Sequence, residues 1–169
     1  IAMFALASLT IVQTIGVNVL NIYQRDSDLR AVLKIIAANK GVLPNSFDED
    51  YNFGSFLNPF GEYHISIQTP YSTRYFVVEM EDNVVTDIST QYAEKVDDKK
   101  AFKYASQIYN SEPGFGTIDF YRYYYTVDSS GKAMMVFIDM TRDIAQVAAL
   151  ATISVFVNII TITVLVLLV

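Results

Sequence analysis

The residues of this 169-residue chain best suited to chemistry are aromatic and cationic, in the run Phe120-Tyr121-Arg122-Tyr123-Tyr124-Tyr125. Alternation along a strand places Phe120, Arg122 and Tyr124 on one face and Tyr121, Tyr123 and Tyr125 on the other. Phenol rings stack on flat ligands, and a guanidinium forks onto a carboxylate or phosphate. Arg74, at the start of another alternating run, is a second anion-binding candidate. The candidate ligand-binding set is therefore Arg74, Tyr121, Arg122, Tyr123 and Tyr125. Each also has a plainer role. Tyrosine suits a half-buried strand with its hydroxyl in water, and Arg74 can pair with a nearby carboxylate at the surface.

Other chemistries are excluded by residue type. The chain has no Cys, which removes disulfides, thiol catalysis, Fe–S clusters and Cys-based zinc sites. It has one His, His64, read as a surface or capped side chain. No phosphate loop, G-x-S-x-G or H-E-x-x-H occurs, and the eighteen carboxylates nominate no acid/base pair. Asp48-Glu49-Asp50 lacks the Gly and distal Glu of a calcium loop and reads as a solvated acidic turn. No catalytic residue, metal or cofactor is expected. A net charge of −6 argues against a nucleic-acid partner.

The elements that must position these residues follow from where charge is missing. Ile1–Gln24 and Ile144–Val169 carry no charge, so all thirty charged residues lie between Arg25 and Asp143. As helices, stretches of 24 and 26 residues reach about 36 Å or more, against a hydrocarbon core of about 30 Å. The chain therefore divides into a transmembrane helix (1–24), a folded domain (25–143) and a second transmembrane helix (144–169). A signal peptide fits the first stretch poorly, since it has no charged n-region and a second span follows. The chain reads as a fragment, with both missing flanks on one side of the membrane. Charges at the domain's edges (Arg25, Asp26, Asp28, Arg30; Asp139, Arg142, Asp143) are mixed in sign rather than basic, which places the domain outside the cell.

Within the domain, Leu29, Val32, Leu33 and Ile36 continue the first helix as an amphipathic stripe, with Gly41 as its stop. Three prolines, two glycines and several asparagines make 42–72 irregular, with a short strand at His64–Gln68. Thr73–Glu81 and Val84–Thr90 read as a hairpin about Asp82-Asn83. Phe76, Val78 and Met80 lie on one face, and Tyr75, Val77 and Glu79 on the other. Asp97 caps a helix carrying Ala101, Tyr104, Ala105 and Ile108. Pro113, Gly114 and Gly116 break the chain before one long strand, Thr117–Val127. A turn at Asp128–Lys132 leads to its partner, Ala133–Thr141. The expected class is α+β, an antiparallel sheet with helices on one face, between two transmembrane helices.

The uncharged ends carry polar residues of their own. Thr10, Thr14, Asn18 and Asn21 share one face of the first, with Gln13 close by; Ser154, Asn158, Thr161 and Thr163 mark the second. In lipid such groups seek an interhelical partner, within the chain or in a second copy. Asn18, Asn158, Arg142 and Asp143 are the candidate signal-transmitting residues.

The runs Thr73-Arg74-Tyr75-Phe76-Val77-Val78, Tyr121-Arg122-Tyr123 and Val136-Phe137-Ile138-Asp139, followed at once by a membrane span, resemble the extracytoplasmic sensor region of bacterial membrane histidine kinases. The resemblance is to the Firmicute type and is strongest over 73–143. It implies a PAS-like (Cache-like) sheet domain in a homodimer bound to membrane lipid, receiving a small-molecule or protein signal. It further implies a cytoplasmic kinase core and a cognate response regulator. Two departures stand out: Asp82-Asn83 lacks the Gly often found at that turn, and 42–72 matches nothing in the pattern. His64, on the outer side, is not the phosphoacceptor. A chemoreceptor or cyclic-dinucleotide enzyme with the same outer domain, or an envelope protein-binding module, are the alternative readings. An exposed apolar patch would favour the last.

Overall fold

The computed structural model describes residues 2–44 and 72–167. The acidic run Asp48-Glu49-Asp50, His64 and the strand expected at His64–Gln68 lie outside the described residues. In chain order the elements are α1 (Ala2–Ala38), β1 (Tyr75–Glu81), β2 (Val84–Ser89), α2 (Asp98–Ile108), β3 (Gly114–Ile118), β4 (Tyr121–Val127), β5 (Ala133–Asp139) and α3 (Thr141–Leu167). They form two compact units, Ser27–Met140 and the helical pair Ile1–Asp26 with Thr141–Val169. The fold class is α+β. The helices at both ends, α1 and α3, are long and apolar enough to cross a membrane.

In the Ser27–Met140 unit the five strands make one antiparallel sheet, ordered β2-β1-β5-β4-β3. The β1–β2 hairpin closes through Asp82 and Asn83, both at positive φ (49° and 65°). Asp and Asn enter that region at low cost, so the turn forms without Gly. Tyr109 Oη accepts the Asn83 N–H at 3.0 Å and ties α2's end to the turn. At the β4–β5 hairpin, Asp128 Oδ1 accepts from the backbone N–H of Ser130 (2.8 Å) and of Lys132 (3.0 Å).

Helices cover both faces of the sheet, not one as the sequence pattern predicts. The central strands β1 and β5 are apolar at successive positions, so each face needs its own cover. On one face Phe76, Val78, Met80, Met135 and Phe137 pack with Ala101, Tyr104, Ala105 and Ile108 of α2. The Phe76 and Phe137 rings stack with centroids 4.4 Å apart. On the other face Tyr75, Val77, Val136 and Ile138 meet Val32, Leu33, Ile35 and Ile36 of α1. Leu33 and Ile36 are fully buried, each worth about 2 kcal/mol of transfer free energy. α1 ends at Ala38, and Gly41 (φ +81°) sends its N–H back to the Ile36 carbonyl at 2.8 Å. A Cβ on Gly41 would lie 3.3 Å from Val77 Cγ1, so the helix end sits hard against β1.

The long strand expected at Thr117–Val127 is two strands. The chain reverses at Asp119-Phe120, with Asp119 at φ 49°, and Ile118 pairs with Tyr121. Phe120 therefore lies in the turn, 60% exposed, and not on the face of Arg122 and Tyr124. Gly114 and Gly116 fall inside β3 rather than breaking the chain. A Cβ at Gly116 would come within 2.2 Å of the Tyr123 ring, so that glycine makes room for an aromatic cross-strand neighbour. Phe137, which pairs with Phe76 and Tyr123, tests this packing. Phe137→Ala is expected to destabilise the sheet unit by about 3–5 kcal/mol in chemical denaturation; a loss below about 1 kcal/mol would contradict the core described.

Candidate functional site

The strand register decides which sequence-predicted residues meet. Arg122, Ile138 and Tyr75 share one rung of the sheet. The next rung holds Tyr121 and Asp139, whose N–H bonds the Arg74 carbonyl at 2.9 Å. Successive rungs point to opposite faces, so Arg74 and Arg122 do not converge. Arg74 Nη1 pairs with Glu94 at 2.7 Å, with Arg74 part-exposed and Glu94 exposed. Arg122 Nη1 donates to Thr117 Oγ1 of β3 at 3.0 Å. Tyr121 and Tyr125 are buried in the α2-side core, and Tyr123 packs beside them. Tyr125 Oη donates to the Tyr109 carbonyl at 3.2 Å. Tyr124 lies on the α1 side, stacked on Phe115 at 4.5 Å.

A polar cluster that the sequence pattern does not single out borders the α2-side core. Tyr104 Oη donates to Asp119 Oδ2 at 2.7 Å, and Lys100 Nζ lies 5.7 Å from the Tyr104 ring centre and 5.9 Å from that of Tyr121. Only the helical spacing of Lys100 and Tyr104 hints at it. Asp119 enters through the unforeseen β3–β4 turn. Burial, then the hydrogen bond to Asp119, pushes the Tyr104 phenol up to about 12. Burial, with the charges of Asp139 and Asp119, also raises Tyr121. Among the described residues no group of three His, Asp or Glu is placed to hold a metal.

In the helical unit the polar residues meet in pairs. Asn158 Nδ2 of α3 donates to Thr14 Oγ1 of α1 at 2.7 Å, and to the Ser154 carbonyl at 3.0 Å. Arg25 and Asp143 form an ion pair of 2.7 Å, each about one-third exposed. Thr14 precedes Arg25 while Asn158 follows Asp143, so the two helices run antiparallel. On α1 the half-buried positions are Ala7, Thr10, Thr14, Asn18, Asn21 and Arg25. On α3 they include Asp143, Val147, Ala151, Ser154 and Asn158. The large apolar side chains, such as Val12, Ile15, Phe156 and Ile160, point outward. Of the sequence-predicted transmitting residues, Asp143 and Asn158 join the two helices. Asn18 bonds the Thr14 carbonyl of its own helix at 2.9 Å, and Arg142 is exposed. The sequence signal for the Arg25–Asp143 pair is that these are the outermost charges of the chain.

The Tyr104–Asp119 contact gives the sheet unit a pH dependence. The folded state favours the neutral phenol, so its contribution is complete below pH 10, the ordinary tyrosine value, and is lost as pH rises through about 12. Phenolate ultraviolet absorbance should show a late-titrating tyrosine that Tyr104→Phe removes and Asp119→Asn brings to lower pH. Unchanged titration in both variants would refute the contact. Compared with known proteins, the chain matches no family model, no curated protein and no solved structure.

Proposed function

We propose that this chain is the sensing and transmembrane region of a sensor histidine kinase. In this reading α1 and α3 cross the cell membrane and the sheet unit lies outside the cell. A signal received by that unit becomes relative motion of the two helices, which controls a cytoplasmic kinase core. The observation that carries the reading is the antiparallel helix pair, joined by Asn158–Thr14 and Arg25–Asp143 with its apolar side chains turned outward. Such contacts have discrete alternatives, which a transmitting element needs. The PAS-like part is supported by a β1–β2 hairpin and a β3–β4–β5 meander joined through α2, with β1 and β5 paired at the centre. The kinase output rests on the resemblance of the sequence runs around β1, β4 and β5. The signal is a small molecule or a protein, and the output partner is a response regulator.

Two measurements test this. With no native Cys, Phe120→Cys, exposed in the β3–β4 turn, should react in intact cells with a membrane-impermeant maleimide. Protection until lysis would overturn the extracellular placement. Fused after Val169 to a histidine-kinase core, the chain should support ATP-dependent autophosphorylation in membrane vesicles. Asn158→Leu and Asp143→Arg should each change that rate several-fold, and Asp143→Arg with Arg25→Asp should restore it. Rates indifferent to all three would sink the transmission role.

A further inference from the structure

Gln13 stands at the middle of the uncharged stretch Ile1–Gln24. Its neighbours in polarity are satisfied: Thr10, Thr14 and Asn18 each donate to a carbonyl of their own helix at 2.9 Å, and Asn158 reaches Thr14. Gln13 is exposed, and no described residue hydrogen-bonds its amide. In hydrocarbon an amide without a partner is costly, because no water is there to replace one.

Gln13 belongs to a regular stripe. Leu6, Leu9, Gln13, Gly16, Leu20 and Tyr23 follow one another at intervals of three and four, the seam of a two-helix coiled coil. All six are exposed. At about 100° per residue the stripe lies roughly 135° around α1 from the face that meets α3. Gly16, one turn from Gln13, would have nothing within 4 Å of a Cβ, so another backbone can approach there.

We propose that α1 pairs in parallel with α1 of a second copy along this stripe, with the two Gln13 amides hydrogen-bonded to each other. The occupant follows from symmetry. Two copies inserted with the same topology place Gln13 at the same depth, and an amide carries both donor and acceptor, so each can serve the other across a two-fold axis. The inference rests on the membrane-spanning reading of α1, though not on the kinase output.

The test uses the full chain in vesicles of phosphatidylcholine and phosphatidylglycerol. Leu6→Cys, Leu9→Cys and Leu20→Cys should crosslink between copies on mild oxidation. Ile15→Cys and Ile22→Cys, equally exposed at 59% and 52% but off the stripe, should crosslink several-fold less. Gln13→Leu should weaken self-association about ten-fold by fluorescence energy transfer, and Gln13→Asn should retain most of it. Crosslinking strongest at Ile15 and Ile22, a monomer at all densities, or an unaffected Gln13→Leu would each overturn the seam. Labelling of Leu9→Cys by a water-soluble maleimide would instead overturn the membrane reading on which it stands.

Discussion

The helical unit turns ordinary protein polarity inside out. Along α1 and α3 the half-buried positions are mostly Thr, Asn, Ser and Ala, with Val147 and the Arg25–Asp143 pair among them, while most Val, Ile, Leu and Phe face outward. In water that arrangement would expose apolar surface and bury hydrogen-bonding groups, losing on both counts. In hydrocarbon the outward side chains cost nothing, and the inward groups need partners because the surroundings supply none. Most of the partners are local: Thr10, Thr14 and Asn18 bond carbonyls one turn back, as do Thr161 and the outward-facing Thr152 and Thr163. Asn158 also crosses to Thr14, so the hydrogen bond between helices comes from a group already satisfied on its own helix.

The sheet unit is built on the usual polarity, and α1 takes part in both regimes. Up to Gln24 its surface suits lipid. From Leu29 to Ile36 its buried stripe is Val32, Leu33, Ile35 and Ile36, a water-excluding face matched to Tyr75, Val77, Val136 and Ile138. β1 and β5 carry apolar side chains on both faces, and α2 covers only one of them. A domain of this size gains a second cover by using the helix that enters it. The aromatic strand is drawn into the same economy: Tyr121 and Tyr125 serve the α2-side core and Tyr124 the α1 side.

Much of the architecture was legible in the sequence because it rests on unambiguous patterns. Uncharged ends, the Leu29–Ile36 stripe, the Asp97 cap with its 2.8 Å bond to Lys100 N–H, and the two faces assigned to β1 all appear where their spacing puts them. The β3–β4 turn was not legible, because Asp119-Phe120 is a weak turn signal and Gly116 mimics a break while serving Tyr123. The second helical cover was hidden by the same alternation that revealed β1: Tyr75 and Val77 look like a solvent-tolerant face until α1 is placed on it. Site convergence depends on register, which turn position sets and composition does not. That one turn also takes Phe120 off the face of Arg122.

The strength of the inter-helix contacts bears on the proposed transmission. A part-exposed ion pair such as Arg25–Asp143 is worth at most about 1 kcal/mol. A hydrogen bond such as Asn158–Thr14 adds about the same in lipid. Driving a two-state equilibrium from one extreme to the other takes about 5.5 kcal/mol, which in the proposed reading a modest ligand in each half of a dimer would supply. Contacts of this size specify one helix register over another without locking it. A fully buried charge pair would cost several kcal/mol to break and would hold the helices against such a ligand. In that proposal polar contacts of moderate strength suit the two helices: the part-exposed Arg25–Asp143 pair and the Asn158–Thr14 hydrogen bond are of similar size, and neither locks the register.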